Sequence, residues 1–350
     1  MRLVHPDSTT TEGIREGLEL RGRGFGAHRN RTIIAAMIIT VTPNPVLDRT
    51  LTVPEIVLNE MVRVVESRDD WGGKGFNVSR ALLALGKPSV AMGLVGGAVG
   101  EKLRCGLESL GLATDLVGIA GETRTNIVIT DERATQYIKV NEPGPMIAPD
   151  EIHALLRRAA ARARPGDLWA LCGSLPPGMP PDFFAQLTRE IQAAGARVLL
   201  DTSGEPFGLG VRAQPFAIKP NLPEASAWLD RPLTSPTEAA AAVDNFLELG
   251  ITLVALSLGA EGLMLASAEG RVWVRPPAAR ALNPVGAGDA LVAGLLFAQE
   301  DARPLHEVAR WGVASGTAAA MRQGVAVGTR AEVEALYAQV TQVPWPVEGL

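Results

Sequence analysis

The stretch LNPVGAGDALVAGLL, residues 282–296, places one carboxylate, Asp289, directly after Gly-Ala-Gly and ahead of small and apolar residues. The pattern predicts a buried helix with a glycine-rich entry. Glycines allow close approaches that a Cβ forbids, and the first turn of a helix has unpaired N–H groups and a partial positive charge. We therefore expect an anion-binding turn. Asp289 fits two interpretations there, the N-cap of the helix or a catalytic carboxylate, and the stretch alone leaves both open.

The composition is that of a globular chain with one large α/β domain or two smaller ones. It has 350 residues, 47% of them hydrophobic and 20% charged, with a net charge of −5. The acidic balance argues against nucleic acid as the main partner, and no apolar run reaches the ~18 residues that span a bilayer. Cys105 and Cys172 are predicted to be free thiols of a cytoplasmic protein. None of the four histidines lies in a glycine-rich or acidic cluster, which argues against histidine-based metal binding or catalysis.

From Met37 onward, short continuous apolar runs alternate with helical patterns. Strands buried on both faces have such runs, so we predict an α/β fold with a mostly parallel central sheet and helices on both faces. Residues 46–70 and 123–141 instead alternate polar with apolar residues, which predicts a small β-sheet lid over one edge of a domain spanning 37–345. The Arg- and Gly-rich residues 1–36 are expected to be a flexible extension, or to reflect a start codon assigned too early.

The predicted strands are residues 37–41, 89–95, 167–173, 197–201, 216–220 and 252–258. The predicted helices lie near residues 76–85, 101–110, 150–164, 181–194, 236–249, 289–299, 304–321 and 330–340.

Two common nucleotide-binding fingerprints are missing from the chain. The GGKG at 72–75 has Gly where a P-loop needs Ser or Thr, and no GxGxxG follows the first strand, which weakens a nicotinamide-dependent oxidoreductase. Instead, WGGKGFNVSRALLALG (71–86) combines a glycine loop with an amphipathic helix. It could aim the N–H groups of Gly72 and Gly73, the Lys74 ammonium and the Asn77 amide at a polyhydroxylated or phosphorylated ligand. A turn with a surface lysine is the alternative.

A third motif follows the predicted strand at 216–220. Asn221 and Glu224, three residues apart, suit Mg²⁺ held through water, because this hard ion keeps several waters and takes few protein oxygens. Pro-Asn-x-x-Glu is equally typical of a helix start with an Asn cap and an acidic first turn. The residues leave both interpretations open.

Together, GGKGFN (72–77) and NPVGAGDALVAG (283–294) resemble the two signatures of the ribokinase-like (PfkB) carbohydrate kinases, in the right order and separation. The likeness runs from about Met37 to about Leu336. It is closest to the sugar-phosphate branch, which includes 1-phosphofructokinase and tagatose-6-phosphate kinase. Pro284 departs from the small polar residue common in relatives. The segments similar to that branch are TPNPVLD (42–48), TRTNI (123–127), CGSLPPG (172–178), KPN (219–221) and SLGAEG (257–262).

The resemblance implies a cytoplasmic kinase that transfers phosphate from MgATP to the primary hydroxyl of a ketohexose monophosphate. Fructose 1-phosphate, giving fructose 1,6-bisphosphate, is the first choice, and tagatose 6-phosphate and fructose 6-phosphate are alternatives. Asp289 would be the general base, and Gly286, Ala287 and Gly288 an anion hole for the transferring phosphoryl group. The resemblance also implies a homodimer that pairs its lids.

The same resemblance assigns the remaining site residues. On the sugar side, Asp48 and Asn77 would hold hydroxyls, Ser174 would add one more hydroxyl, and the substrate's phosphate would be bound by Lys74, Arg124 and Lys139. On the nucleotide side, Lys219 would approach the phosphates, the pocket would be lined by Ser257, Gly259 and Gly262, and Mg²⁺ would be ordered through water by Asn221 and Glu224.

A rival from another class is a catalytically silent regulator that binds a sugar phosphate. Intact Asp289, Asn221 and Glu224 argue against it, and ATP consumption that depends on a ketose phosphate would exclude it.

Overall fold

The computed structural model of the protein describes residues 36–133, 136–283, 285–322 and 326–346. The expected N-terminal extension, up to residue 35, and Pro284 lie outside these ranges.

The described elements alternate between strands and helices along most of the chain. The strands are β1 (Ile38–Thr42), β2 (Val46–Val53), β3 (Glu66–Gly72), β4 (Ser89–Gly96), β5 (Ala113–Ile119), β6 (Arg124–Asp131), β7 (Tyr137–Val140), β8 (Leu168–Cys172), β9 (Arg197–Asp201), β10 (Ala217–Ile218), β11 (Leu253–Ser257), β12 (Leu263–Ser267), β13 (Gly270–Arg275) and β14 (Thr341–Val343). The α-helices are α1 (Lys74–Ala84), α2 (Gly97–Ser109), α3 (Pro149–Arg162), α4 (Phe183–Ala193), α5 (Gly204–Val211), α6 (Leu222–Trp228), α7 (Pro236–Glu248), α8 (Ala287–Glu300), α9 (Leu305–Ala320) and α10 (Arg330–Tyr337).

The central sheet has ten strands in the order β14-β13-β12-β11-β10-β9-β8-β1-β4-β5. The strands from β5 to β11 pair in parallel, and β12, β13 and β14 continue the sheet antiparallel. The α/β fold with a mostly parallel sheet is therefore confirmed, and the six predicted strands all belong to it. Because parallel strands share their carboxyl edge, residues that follow β1, β8, β9, β10 and β11 converge on one side of the sheet.

The side chains of the central strands pack into two apolar cores. In β1, Ile39 and Val41 pack into one core and Ile38 into the other, since successive side chains point to opposite faces. The second core includes Ala81 and Leu82 of α1, Leu85 directly after it, and an almost continuously buried α8. Helix α8 packs closely on α9 at Gly294, where a Cβ would lie only 2.3 Å from the Trp311 carbonyl oxygen. The absence of a side chain at Gly294 permits this approach.

The predicted small β-sheet is present as a separate four-stranded sheet in the order β3-β2-β6-β7. Strand β2 pairs antiparallel with β3 and parallel with β6, and β6 pairs antiparallel with β7. We call this sheet the lid. The register of β2 with β6 sets Asp48 beside Asn126.

No helix among the described residues combines the length and apolarity needed to cross a membrane.

Candidate active site

A cavity of about 920 Å³ lies at the carboxyl edge of the central sheet and extends to the lid. It collects most of the site residues predicted from the sequence. Those that line it are Asp48, Gly73, Lys74, Asn77, Arg124, Lys139, Lys219, Asn221, Ser257, Gly259, Gly262, Gly286, Ala287, Gly288 and Asp289. Gly72, Ser174 and Glu224 are not among the lining residues.

Asp289 is the third residue of α8, and the N-cap of that helix is Gly286, in the left-handed conformation with φ 81°. The N-cap interpretation of Asp289 is therefore wrong. Its side chain turns into the protein, where Oδ2 accepts a hydrogen bond of 2.8 Å from Nδ2 of Asn77. Burial, aided by the negative charge of Asp201, raises the pKa of Asp289 to about 7. A carboxyl with that pKa can exchange a proton near neutrality.

The Gly-Gly-Lys segment, residues 72–74, joins β3 to α1, and close contacts there leave no room for side chains at its two glycines. A Cβ on Gly72 would lie 2.4 Å from Oδ2 of Asp48, and Gly73 has φ 124° and would meet the Thr42 side chain at 2.7 Å. The loop therefore lets Asp48 and Lys74 approach the cavity. The Lys74 ammonium lies 3.2 Å from Oδ1 of Asp201, so this lysine is engaged with the site, although 39% of its side chain is exposed.

Asp201 is a site residue that the sequence analysis missed. It ends β9, is 1% exposed, and places Oδ1 3.2 Å from Nζ of Lys74 and 3.3 Å from Nζ of Lys219. Burial opposes its ionisation, but the charges of Lys219 and Lys74 outweigh that cost and lower the pKa of Asp201. The signal was present, since an acid closes the predicted buried strand RVLLD at the edge where ligands bind.

The lid contributes a second polar group around Asp48. Its Oδ1 accepts from Nδ2 of Asn126 at 2.9 Å. Burial raises the pKa of Asp48, and the Asn126 hydrogen bond and the charges of Lys139 and Arg124 partly offset that effect. Asn126 was not predicted as a site residue, although it lies within the quoted TRTNI segment.

The three cations predicted to bind the substrate's phosphate, Lys74, Arg124 and Lys139, all line the cavity, but they lie near different acids. Arg124 and Lys139 act electrostatically on Asp48, whereas Lys74 pairs with Asp201 beside Lys219. Arg124 and Lys139 thus lie on the lid side of the cavity, and Lys74 and Lys219 lie at the edge of the central sheet. The reason is topological: Arg124 and Lys139 lie on lid strands, and Lys74 opens a helix of the central domain.

Arg124 also joins the lid to the central domain. Its guanidinium donates to the carbonyl oxygens of Asn44 and Glu142 at 3.0 Å and to that of Pro45 at 3.4 Å. Burial lowers the pKa of Arg124. Three of its five N–H groups are engaged in this way, so the two others remain for a ligand.

Of the two interpretations of Asn221 and Glu224, the structure shows the helix start. Oδ1 of Asn221 accepts from the Glu224 N–H at 2.8 Å, and Oε2 of Glu224 accepts from the Asn221 N–H at 2.9 Å. This is a capping box at the start of α6. The negative charge of Glu224 nevertheless contributes, after those of Asp201 and Asp289, to raising the pKa of Lys74, so Glu224 lies close enough to act on the site.

The rest of the predicted nucleotide side is assembled from turns. Ser257 and Gly259 line the cavity after β11, and Gly262, with φ 91°, leaves no room for a Cβ, which would lie 1.9 Å from the Val274 carbonyl oxygen. At Gly288 a Cβ would lie 3.8 Å from Nζ of Lys219, so the entry turn of α8 faces that lysine. Ser174 is exposed and its Oγ accepts from Nδ2 of Asn44 at 3.3 Å.

The apolar wall of the cavity was not predicted. Small and apolar residues of buried helices look like core in a sequence, and nothing distinguished the cavity-facing ones. These are Leu291, Val313, Gly316, Thr317, Ala320 and Met321.

The site combines a buried carboxyl at a helix N-terminus, a pair of lysines near it, and a second group of polar side chains on the lid. This arrangement suits an enzyme that transfers a phosphoryl group to a hydroxyl of a small molecule, as a sugar kinase does. The pfkB family carbohydrate kinase model matches residues 42–331, and the chain belongs to that family.

Relatives in the family agree with this assignment. The 1-phosphofructokinase of Rhodobacter capsulatus is 38% identical over 274 residues, which cover 78% of this chain and 87% of that protein. That of Xanthomonas campestris pv. campestris is 36% identical over 277 residues, with coverages of 78% and 87%. The crystal structure of phosphofructokinase-2 from Escherichia coli in complex with potassium matches with a TM-score of 0.84 at 30% identity, covering 87% of this chain and 99% of that one. The protein is a sugar-phosphate kinase, and its family implies ATP as the cosubstrate.

Proposed function

We propose that the protein phosphorylates fructose 1-phosphate with MgATP to give fructose 1,6-bisphosphate, with Asp289 as the general base. The observation that carries this proposal is the buried Asp289, hydrogen-bonded to Asn77 and set beside the Lys74 and Lys219 pair. The choice of sugar is supported by the relatives named 1-phosphofructokinase.

Asp289 and Asn77 together would orient the attacking hydroxyl. Asn77 donates to Asp289 through Nδ2, while its buried Oδ1 has no hydrogen-bond partner among the described residues. A second hydroxyl of the sugar could donate to that oxygen as the attacking one donates to Asp289. Phosphoryl transfer through a loose transition state depends mainly on such alignment, with the proton accepted late.

The phosphoryl group would pass between two sets of positive groups. One set is the N–H groups at the positive end of α8, from Gly286, Ala287 and Gly288. The other set is the ammonium groups of Lys74 and Lys219, which lie beside Asp201. Such preorganised donors stabilise charge that develops on the phosphoryl oxygens. Ser257, Gly259 and Gly262 would border the nucleotide.

The residues present fit Mg²⁺ bound through water. Glu224 uses one carboxylate oxygen in the capping box, and its other oxygen has no hydrogen bond to the described residues. Asn221 lines the cavity. When bound, Mg²⁺ would neutralise charge on the nucleotide phosphates, and Asn221 and Glu224 would hold its waters.

A coupled assay of ADP release tests the proposal. Fructose 1-phosphate, fructose 6-phosphate and tagatose 6-phosphate are supplied separately with MgATP, and the highest kcat/KM is expected for fructose 1-phosphate. A preference for tagatose 6-phosphate or fructose 6-phosphate would overturn the choice of sugar. ATP turnover that none of the three sugars stimulates would overturn the proposed function.

We expect Arg124→Ala to raise KM for the sugar phosphate about 10- to 150-fold. A lost charge-assisted hydrogen bond costs ~1.5 to 3 kcal/mol, and Arg124 retains donors for a phosphate beside Lys139. The measurement is steady-state kinetics at saturating ATP. The matched control is Arg68→Ala, a lid arginine that pairs with Asp70 and does not line the cavity. An unchanged KM with a collapsed kcat would contradict the phosphate-binding role.

We propose a homodimer formed through the lid, and expect light scattering at micromolar concentration to give the mass of two chains. Strand β7 is exposed along its length, and Leu58 and Met61, in the connection between lid strands β2 and β3, are 74% and 90% exposed. Exposed sheet edges and contiguous apolar surface are commonly covered by a partner. Leu58→Asp should then yield monomers, whereas Leu249→Asp, outside the lid, should not. A monomeric wild type would refute the proposal.

A further inference from the structure

The proposed mechanism leaves one buried charge at the site unexplained. Asp201 is 1% exposed, and we have assigned it no contact with either substrate. Burying a carboxylate is costly unless the charge is paired, and one lysine would be enough to pair it. Here a single oxygen, Oδ1, lies near two ammonium groups, at 3.2 Å from Lys74 and 3.3 Å from Lys219.

The two lysines come from opposite sides of the reaction. Lys74 is the first residue of α1, directly after the glycines at the end of lid strand β3. It therefore lies on the side of the cavity where we place the sugar. Lys219 follows β10 and precedes the Asn221 capping box, which is the nucleotide side. Two ammonium groups held near one oxygen repel each other, and the carboxylate charge offsets that repulsion. Without it, each side chain would gain by moving apart and towards solvent.

Resting on the proposed function, we propose that Asp201 is a positioning residue for phosphoryl transfer. It holds the Lys74 and Lys219 ammonium groups on one oxygen, so that both face the phosphoryl group as it leaves the nucleotide and reaches the sugar. Asp201 lines the cavity, and the role proposed for it is exerted through the two lysines and not through contact with a substrate.

The same carboxylate also sets the electrostatic surroundings of Asp289. The polar and charged groups that act on Asp289 are Asp201, Asn77, Lys74 and Lys219, and the buried Cys172 at the end of β8 lies in the same field. Burial raises the pKa of Asp289, and the charge of Asp201 raises it further, while the two lysines lower it. Neutralising Asp201 would remove a negative charge and leave the lysines unopposed. Both changes favour the ionised form of Asp289.

The test compares Asp201→Asn with Asp115→Asn. Asp115 is also a buried aspartate that pairs with two cations, Arg158 and Arg162, but it lies on edge strand β5 and does not line the cavity. Asp201→Asn is expected to lower kcat about 10²-fold, the effect of misplacing groups at a reacting centre by about 1 Å. KM for the sugar phosphate should stay near wild type, because Arg124 and Lys139 are untouched. The acid limb of the pH profile should move to lower pH. Asp115→Asn should leave kcat and the limb unchanged.

A merely structural role for Asp201 would lower the melting temperature without moving the acid limb, and that result would overturn the proposal. Asp201→Glu provides a second variant if Asp201→Asn does not fold. It keeps the charge but displaces it by one methylene, so kcat should fall while the acid limb stays near its wild-type position. A wild-type kcat for Asp201→Glu would also overturn the proposal.

A crystal structure of Asp201→Asn separates this proposal from the proposed function. We expect the Lys74 and Lys219 nitrogens to move apart, whichever sugar phosphate the enzyme accepts. Lysines in their wild-type positions would overturn the positioning role even if fructose 1-phosphate proves to be the substrate. If another ketohexose phosphate is preferred, the same kinetic comparison is made with that sugar.

Discussion

Asp289→Asn is expected to lower kcat by about 10²- to 10⁴-fold, the range for loss of a general base, while the protein stays folded and binds both substrates. The amide keeps the shape of the carboxyl, and its oxygen can still accept from Nδ2 of Asn77. Because Gly286 and not Asp289 is the N-cap of α8, no capping hydrogen bond is lost. The substitution also removes a buried charge, so no loss of melting temperature is expected.

The matched control is Asp150→Asn, which changes an exposed aspartate in the first turn of α3, away from the cavity. It should retain wild-type kcat. Kinetics, melting temperature and substrate binding by calorimetry are measured for both variants. A fully active Asp289→Asn enzyme would end the proposed mechanism.

The ionisation of Asp289 gives the same prediction a pH dependence. Since burial raises the pKa of Asp289 to about 7, the proposed base would be protonated and inactive below that pH. The kcat/KM of the free enzyme should therefore rise as pH increases through about 7 and then level off. The substrate phosphate titrates at about 6, so kcat at saturating sugar is measured in parallel. A profile that is flat from pH 5 to 8 would contradict the assignment.

The central sheet was predictable because its strands are buried on both faces and their apolar runs are uninterrupted. The strand β5 and the hairpin of β12 and β13 were missed, since neither has both the continuous apolar run and the flanking helix of the parallel strands. Helix α5 was missed for a different reason. Its sequence, GEPFGLGV, contains three glycines and a proline, which are poor helix formers. There the tertiary packing of Phe207 and Val211 overrides propensity.

Most polar residues that line the cavity could be named from the sequence, with Asp201 and Asn126 among the exceptions, but their pairings could not. Glycine loops and strand ends pointed to Lys74, Lys219 and Asp289, because ligands bind at the carboxyl edge of such sheets. Which lysine meets which acid depends on how α1, β9 and β10 are placed side by side, and sequence spacing has no record of that. Asp201 lies 127 residues from Lys74 in the chain, so only the fold reveals that they form a pair.

Lys219→Met is expected to lower kcat by about 10²- to 10³-fold, the cost of removing one preorganised donor to developing charge. Lys219 is 4% exposed, faces the entry turn of α8 at Gly288, and would approach the nucleotide phosphates. Met keeps most of the apolar stem and removes only the ammonium. Asp201 still has Lys74 as a partner, so the fold should hold, although with a lower melting temperature. The matched control is Lys87→Met, because Lys87 is likewise a lysine in carboxylate ion pairs, here with Glu300 and Asp301, but does not line the cavity.

The two variants are compared by kcat, by nucleotide affinity in calorimetry and by melting temperature. Lys219→Met should lose turnover and bind ATP more weakly, since the ammonium would contact the phosphates both before and during transfer. Lys87→Met should lose stability alone. If Lys219→Met retained wild-type kcat and ATP affinity, the nucleotide phosphates could not lie beside Gly288. The proposed direction of phosphoryl transfer, from a nucleotide beside Lys219 to a sugar hydroxyl beside Asp289, would then be wrong.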